Sequence, residues 1–397
     1  MGIKTQGGVT SAYTAFYCLN QFVKSKKSLV FVVPRDGCIH DLVDQLKAIA
    51  PAHNVLSFPG WDCLPYDRVS PSSDITHIRL STLYALLESK VPFILITSVS
   101  GIGQRLPPPS LMKAHNHTLS IGDKVSRDSL LALLIEQGCN RVEAVYEMGE
   151  FAVRGGLIDV FAPGAPLPVR LDFFGDELES IKSFDPITQK TNQTGELVEL
   201  SMRAAHEVLL TADNITQFRQ QYRALFGGSR AFPADDPLYQ HISEGRPYPG
   251  MEHWLPLFFE QTATLFDYIG EQANILFDDG VDNAIQHRLE AIDDYYKARL
   301  SPPLGDVTPY NPIASNLLYW QAADWQQFTE AQSITQLSPF KTDEDAINLK
   351  IAPSFKAERD QSTTALFDAV DNYLSAHKER NRIITCMSEG TRDRQLH

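Results

Sequence analysis

The chain is poor in most of the features that mark a site of chemistry. Five cysteines, Cys18, Cys38, Cys63, Cys139 and Cys386, are spread over 397 residues. Their odd number and wide spacing exclude a disulfide framework, and no C-x-x-C pair offers a zinc site. Free thiols in a reducing compartment are expected. No run approaches the roughly 18 uninterrupted apolar residues of a membrane span, and the N-terminus lacks a basic-then-apolar signal pattern. Gln6 stands where a myristoylation signal has Ser or Thr. A soluble, cytoplasmic protein with no membrane partner is expected. Basic charge is also scarce: 35 Lys and Arg face 49 Asp and Glu, for a net charge of −14. That balance repels phosphate backbones, and no Lys/Arg cluster relieves it, so strong independent DNA binding is not expected. His53, His77 and His206 lack metal-ligand spacing. Ser98 and Ser100 form no Gly-x-Ser-x-Gly elbow, and no carboxylate pair can be named as acid and base. Neither a catalytic residue nor a metal site is expected.

What is present is an ordinary globular composition, 43% hydrophobic and 21% charged, in a chain long enough for several domains. Residues 1–117 alternate helices with short apolar strands. Helices are expected near Thr10–Val23, Leu42–Ala50 and Ile75–Leu87, and strands at Leu29–Val33, Val55–Phe58 and Phe93–Ile96. Near-continuous apolar strands of this kind are buried on both faces, the mark of a parallel α/β sheet. Residues 118–201 change character to one Ser-capped helix, Ser126–Gln137, and several strands with turn chemistry, including a hairpin turn at Gly175-Asp176. Residues 202–345 return to α/β patterning, with helices near Ile215–Leu225 and Asp282–Leu300 and a strand at Asn274–Phe277. They read as the second half of the first domain, interrupted by a small α+β insert. From residue 346 a further α/β domain begins, with a helix at Thr364–Lys378, a strand at Ile383–Cys386 and a helix capped by Ser388. One helix and one strand cannot bury a core, so the sequence reads as cut off inside that domain.

The insert carries the most informative stretch, Gly149-Glu150-Phe151-Ala152-Val153-Arg154-Gly155-Gly156-Leu157-Ile158-Asp159-Val160-Phe161, followed by Leu167-Pro168-Val169-Arg170-Leu171-Asp172-Phe173-Phe174. Alternate strand residues face opposite sides of a sheet. Val169, Leu171 and Phe173 therefore point inward, with Phe151 and Val153. Arg170, Asp172 and Phe174 point outward, with Glu150, Ala152 and Arg154. A sheet face holding two arginines and a large aromatic has the composition of a protein-binding hot spot. An ordinary solvated sheet face gives the same pattern.

A nucleotide site would need a glycine-rich loop ending in Gly-Lys-Ser/Thr ahead of the first helix. The chain has Thr5-Gln6-Gly7-Gly8-Val9-Thr10-Ser11-Ala12 there. Gly7, Gly8 and Ser11 remain, but the lysine is missing, so the γ-phosphate charge has no counterion and a degenerate loop is expected. Asp278-Asp279 follows a strand where a magnesium-holding Asp would sit, although Asp-Asp-Gly is also plain turn chemistry. Trp61 and Tyr66 have only Arg68 as a basic neighbour, which favours packing over base stacking.

The 149–174 motif resembles the shared signature of UvrB, the damage-loading helicase, and the transcription-repair coupling factors (the Mfd family). The passage Phe58-Pro59-Gly60-Trp61-Asp62-Cys63-Leu64-Pro65-Tyr66-Asp67-Arg68, leading into Asp74–Leu83, resembles the coupling factors more closely. UvrB carries an extra aromatic hairpin in that passage, for which this chain has no room. The resemblance implies a degenerate RecA/helicase-like α/β domain interrupted by a UvrB domain 2-like insert. It also implies that Arg154, Arg170 and Phe174 contact UvrA, in transcription-coupled nucleotide excision repair of lesions that stall RNA polymerase. The family implies an ATP-driven DNA translocase, with RNA polymerase and DNA as partners, in segments beyond this sequence. ATP and magnesium are expected only there, and no cofactor is expected here. The alternative expectation is a UvrB-like ATP-dependent helicase subunit.

Overall fold

A computed structural model describes residues 2–227, 236–270, 273–301, 310–340, 346–347, 349 and 353–379, and positions 388, 390 and 393. The chain divides into two compact units, Met1–Ile347 and Asn348–His397.

The first unit begins with β1 (Ile3–Gln6), α1 (Ser11–Ser25), β2 (Ser28–Val33), α2 (Ile39–Ile49), β3 (Val55–Phe58), α3 (Ser73–Glu88) and β4 (Ile94–Ser98). Short helices α4 (Val99–Ile102) and α5 (Pro109–Ala114) lead to the insert, which holds β5 (His117–Ser120), α6 (Arg127–Glu136), β6 (Asn140–Arg141), β7 (Glu150–Arg154), β8 (Leu157–Val160), β9 (Val169–Phe174), β10 (Glu177–Phe184), β11 (Thr191–Leu197) and β12 (Glu199–Met202). Beyond it run α7 (Ala212–Phe226), α8 (Pro237–Ser243), a 3-10 segment at Met251–Phe258, α9 (Leu265–Ile269), β13 (Ala273–Phe277), α10 (Val281–Leu300), α11 (Ser315–Leu318), α12 (Ala322–Ala331) and β14 (Ile334–Leu337).

The main sheet is wholly parallel, in the order β1-β14-β13-β2-β4-β3. Its two central strands come from either side of the insert: β2 pairs with β13, Val30 opposite Ile275. The apolar strands are buried on both faces, as their composition requires. Val30, Val32 and Leu95 pack on one side, and Leu29, Phe31, Ile94 and Ile96 on the other. Every helix and strand expected among the described residues of this unit is found within a few residues of its expected ends. Side-chain caps set several helix starts, Ser72 accepting from Ile75 N and Ser126 from Ser129 N. The edge strand β1 and its neighbour β14 have no counterpart among the expected strands. Both are four residues long and carry few apolar residues.

The insert folds as a six-stranded sheet, β11-β10-β9-β8-β7-β6, with the pair β12-β5 beside it. One face packs on α6 through Phe151, Ile158, Val169, Leu171, Leu130 and Leu134. The second unit has α13 (Lys356–Gln361) and α14 (Thr363–Ala376), neither with a buried residue. The strand expected at Ile383–Cys386 and most of the helix expected after Ser388 lie outside the described residues.

Candidate protein-docking surface

Register places the three singled-out side chains on one face of the insert sheet. Arg170 lies opposite Asp159 on β8 and Lys182 on β10, and Asp159 in turn lies opposite Ala152. Two residues along, the next row is Arg154, Leu157, Asp172 and Ser180. Phe174 stands one step further, where β9 turns into β10. Arg170 and Phe174 are thus about 13 Å apart along one strand. The opposite face takes Phe151, Ile158, Val160, Val169, Leu171 and Ile181, all buried.

The three side chains differ in environment. Phe174 is 76% exposed, an unusual state for a large aromatic on an ordered strand. Its backbone is well fixed. Gly175 takes a positive φ of 62° in the two-residue turn, and the far strand is held by Leu178 N to Asp123 O at 3.0 Å and Val125 N to Asp176 O at 2.8 Å. Arg154 is exposed and donates from Nη2 to the Glu143 carbonyl at 3.0 Å. Arg170 is half-buried and engaged. Its Nε and Nη2 reach the two Asp159 oxygens at 2.7 and 2.8 Å, and its Nη1 reaches Thr191 Oγ1 at 3.3 Å. The guanidinium also lies 5.0 Å from the centre of the Phe184 ring. The hydrogen bonds that Arg170 donates to Asp159 hold its pKa above the ordinary value.

The outward face is not uniformly wet, which corrects one expectation. Ala152, expected outside, is fully buried beneath Val145 and Phe184, with Val142 and Phe161 beside them. The chain before β7 and the end of β10 fold over that part of the sheet. Two apolar residues that the sequence reading passed over are exposed nearby, Tyr146 at 57% and Ile187 at 85%. They belong to segments tied together by Gln189 Nε2, which donates to the Val145 carbonyl at 2.9 Å.

At the degenerate nucleotide loop, the backbone donors that would cradle phosphates are occupied. Gly8 N donates to Phe340 O and Val9 N to Ser338 O, each at 2.9 Å, while Ile347 N donates to Gly7 O at 3.0 Å. Gly8 has a φ of +78°, and a Cβ there would collide with the Ile347 carbonyl oxygen. Ser11 lines a cleft of about 480 Å³ at the sheet's C-terminal edge, together with Asp41, Asp278 and Asp279. Burial pushes the Asp278 pKa up. Among the described residues no lysine or arginine lines this cleft, and the field of that acidic lining opposes a polyphosphate.

Trp61 and Tyr66 are core residues. Trp61 donates from Nε1 to Glu207, and Glu207 also receives Arg79, which is fully buried. Arg79 Nη2 reaches Glu207 Oε2 at 3.1 Å and Nη1 the Pro59 carbonyl at 2.7 Å. This buried pair joins α3 to the segment after β12. His77 is also buried, and desolvation lowers its pKa to about 4. Cys18, Cys38, Cys63 and Cys139 are free thiols, and among the described residues no cluster of His, Cys, Asp or Glu fits a metal ion. No described helix is long and apolar enough to cross a membrane.

A family model for the UvrB interaction domain matches residues 118–205, the insert just described. The transcription-repair-coupling factor of Haemophilus influenzae is 35% identical over 306 residues, covering 77% of this chain and 26% of that protein. That of Rickettsia bellii is 29% identical over 375 residues, 94% of this chain and 32% of its own length. That of Escherichia coli is 38% identical over 233 residues, 58% of this chain and 19% of its own. The chain therefore spans about a fifth to a third of the length of these relatives. Over most of its residues the chain is homologous to part of the transcription-repair-coupling factors, and it carries a UvrB interaction domain as the insert in its parallel sheet.

Proposed function

We propose that this chain is the recruitment module of a transcription-repair-coupling factor. In this reading the outer face of β7–β9 docks UvrA and so brings excision repair to RNA polymerase stalled at DNA lesions. The observation that carries the reading is the exposed Phe174, fixed on an ordered hairpin and sharing one sheet face with Arg154 and Arg170. A rigid aromatic loses little conformational freedom on docking and brings a large apolar area, as interface anchors do. Arg154 supplies a charge to pair with a partner carboxylate.

Contact with RNA polymerase and DNA, and ATP-driven translocation, are assigned to further parts of such a protein. The competing reading, a UvrB-like ATPase, lacks the phosphate-loop lysine and meets occupied backbone donors at Gly8 and Val9. Calorimetric titration of the chain with UvrA separates the two. Docking predicts saturable binding that Phe174→Ala weakens, with no heat on titrating ATP. The helicase reading predicts nucleotide binding and DNA-stimulated hydrolysis. The cytoplasm, where transcription and repair meet in bacteria, is the compartment this function requires.

A further inference from the structure

Asp159 is a buried carboxylate, 1% exposed, on the outward face of the sheet, next to the covered Ala152. It stands directly opposite Arg170 in the register of β8 and β9 and takes both the Nε and Nη2 donors. A guanidinium has five N–H groups in a fixed plane. Asp159 occupies two and Thr191 Oγ1 a third, and the Phe184 ring lies close to the guanidinium. One N–H on each Nη nitrogen remains for an incoming acceptor, and the plane of the group is set before any partner arrives. The carboxylate also cancels the charge, since a bidentate pair at these distances is nearly neutral seen from outside.

We propose that Asp159 is a positioning residue of the docking surface. It aims Arg170 and neutralises it, so that Arg170 reads a neutral acceptor on the partner, a main-chain or side-chain amide carbonyl. Arg154, whose one hydrogen bond among the described residues is to a carbonyl, then makes the charge-dependent contact. The proposal rests on the docking reading given above.

The test is a double-mutant cycle on the full chain titrated with UvrA at low and high salt. Asp159→Asn is expected to weaken binding about tenfold, and Asp159→Asn with Arg170→Gln no more than Arg170→Gln alone, because the first residue acts through the second. Arg154→Gln should flatten the salt dependence of the affinity, and the double variant Asp159→Asn with Arg170→Gln, as neutral as the native pair, should leave it unchanged. Asp159→Asn should steepen it, because it uncovers a positive charge. A lost fold alone steepens nothing. Additive losses in the cycle, or a salt dependence that falls with the charge-neutral double variant as it does with Arg154→Gln, would overturn the assignment. If Asp159→Asn unfolds the insert, the apolar pair Asp159→Leu with Arg170→Met removes both charges and preserves packing. It must bind as weakly as Arg170→Gln, and binding at full strength overturns the proposal. If Phe174→Ala and Arg154→Gln leave the titration unchanged, the docking reading itself fails. If they weaken it and Asp159→Asn does not, only the role of Asp159 fails.

Discussion

Phe174 and Arg79 show opposite uses of a large side chain. Phe174 makes no core contact, so Phe174→Ala is expected to leave the unfolding midpoint unchanged while weakening UvrA binding by about 2 kcal/mol or more. Paired unfolding and calorimetry measurements check both halves. Arg79 is fully buried against Glu207. Arg79→Ala leaves that carboxylate unpaired in the interior and should cost about 3–5 kcal/mol, read in urea denaturation. Arg170 lies between these cases. Its truncation also strands Asp159, so a loss of binding in Arg170→Ala is to be attributed to docking only after the stability of the variant is known. The sequence assigned the faces of Phe174 and Arg170 by alternation alone. It did not disclose that Asp159, two strand positions from Leu157, would meet Arg170 across the sheet. That pairing depends on the register between β8 and β9, which is set by the loop joining them.

At the level of elements, the strands and helices with strong apolar patterns were legible, and the weakly patterned ones were not. β1 reads Ile-Lys-Thr-Gln and β14 reads Ile-Thr-Gln-Leu. Neither has enough apolar residues to announce a strand, and β1 becomes one only because β14 offers it an edge. Ala152 was misplaced for a related reason. Alternation gives the side of the sheet, and whether that side is covered depends on segments such as 142–145 that have no periodicity. The turn after β1 provides a test at this scale. Gly8→Ala adds a Cβ against the Ile347 carbonyl at a residue with positive φ. It should destabilise the unit by more than about 1 kcal/mol. Hydrogen exchange should then show lost protection at the Gly8, Val9 and Ile347 amides before any change in the insert.

For the whole first unit, stability should depend on pH through buried histidines. His253 is 1% exposed, packs edge-on to Trp61 and has its pKa lowered by desolvation to about 4, as does His77. The unfolded chain binds protons at the ordinary value of 6.5, and the folded one resists them until about 4. The stability these residues allow is therefore intact above about pH 6.5 and is lost as pH falls toward 4, by up to about 3 kcal/mol for His253. Glu252 and Asp278, whose pKa values are raised by burial, act in the opposite sense. Urea midpoints at about pH 7 and about pH 5 should differ accordingly, and His253→Asn should reduce the difference.

The arrangement of the main sheet bears on how such a chain is made. β1 can find its partner only after β14 has been synthesised, with Ile3 pairing to Ile334. The insert, by contrast, holds all six strands of its own sheet within one stretch. On a ribosome the proposed docking face can therefore be complete while β2, whose partner β13 is still to come, presents an open, apolar edge to the cell. Sheets closed by such distant segments form slowly and are prone to aggregate in the interval. Nascent chains halted between the insert and β13 should consequently display a finished recognition surface on a framework that still depends on chaperones.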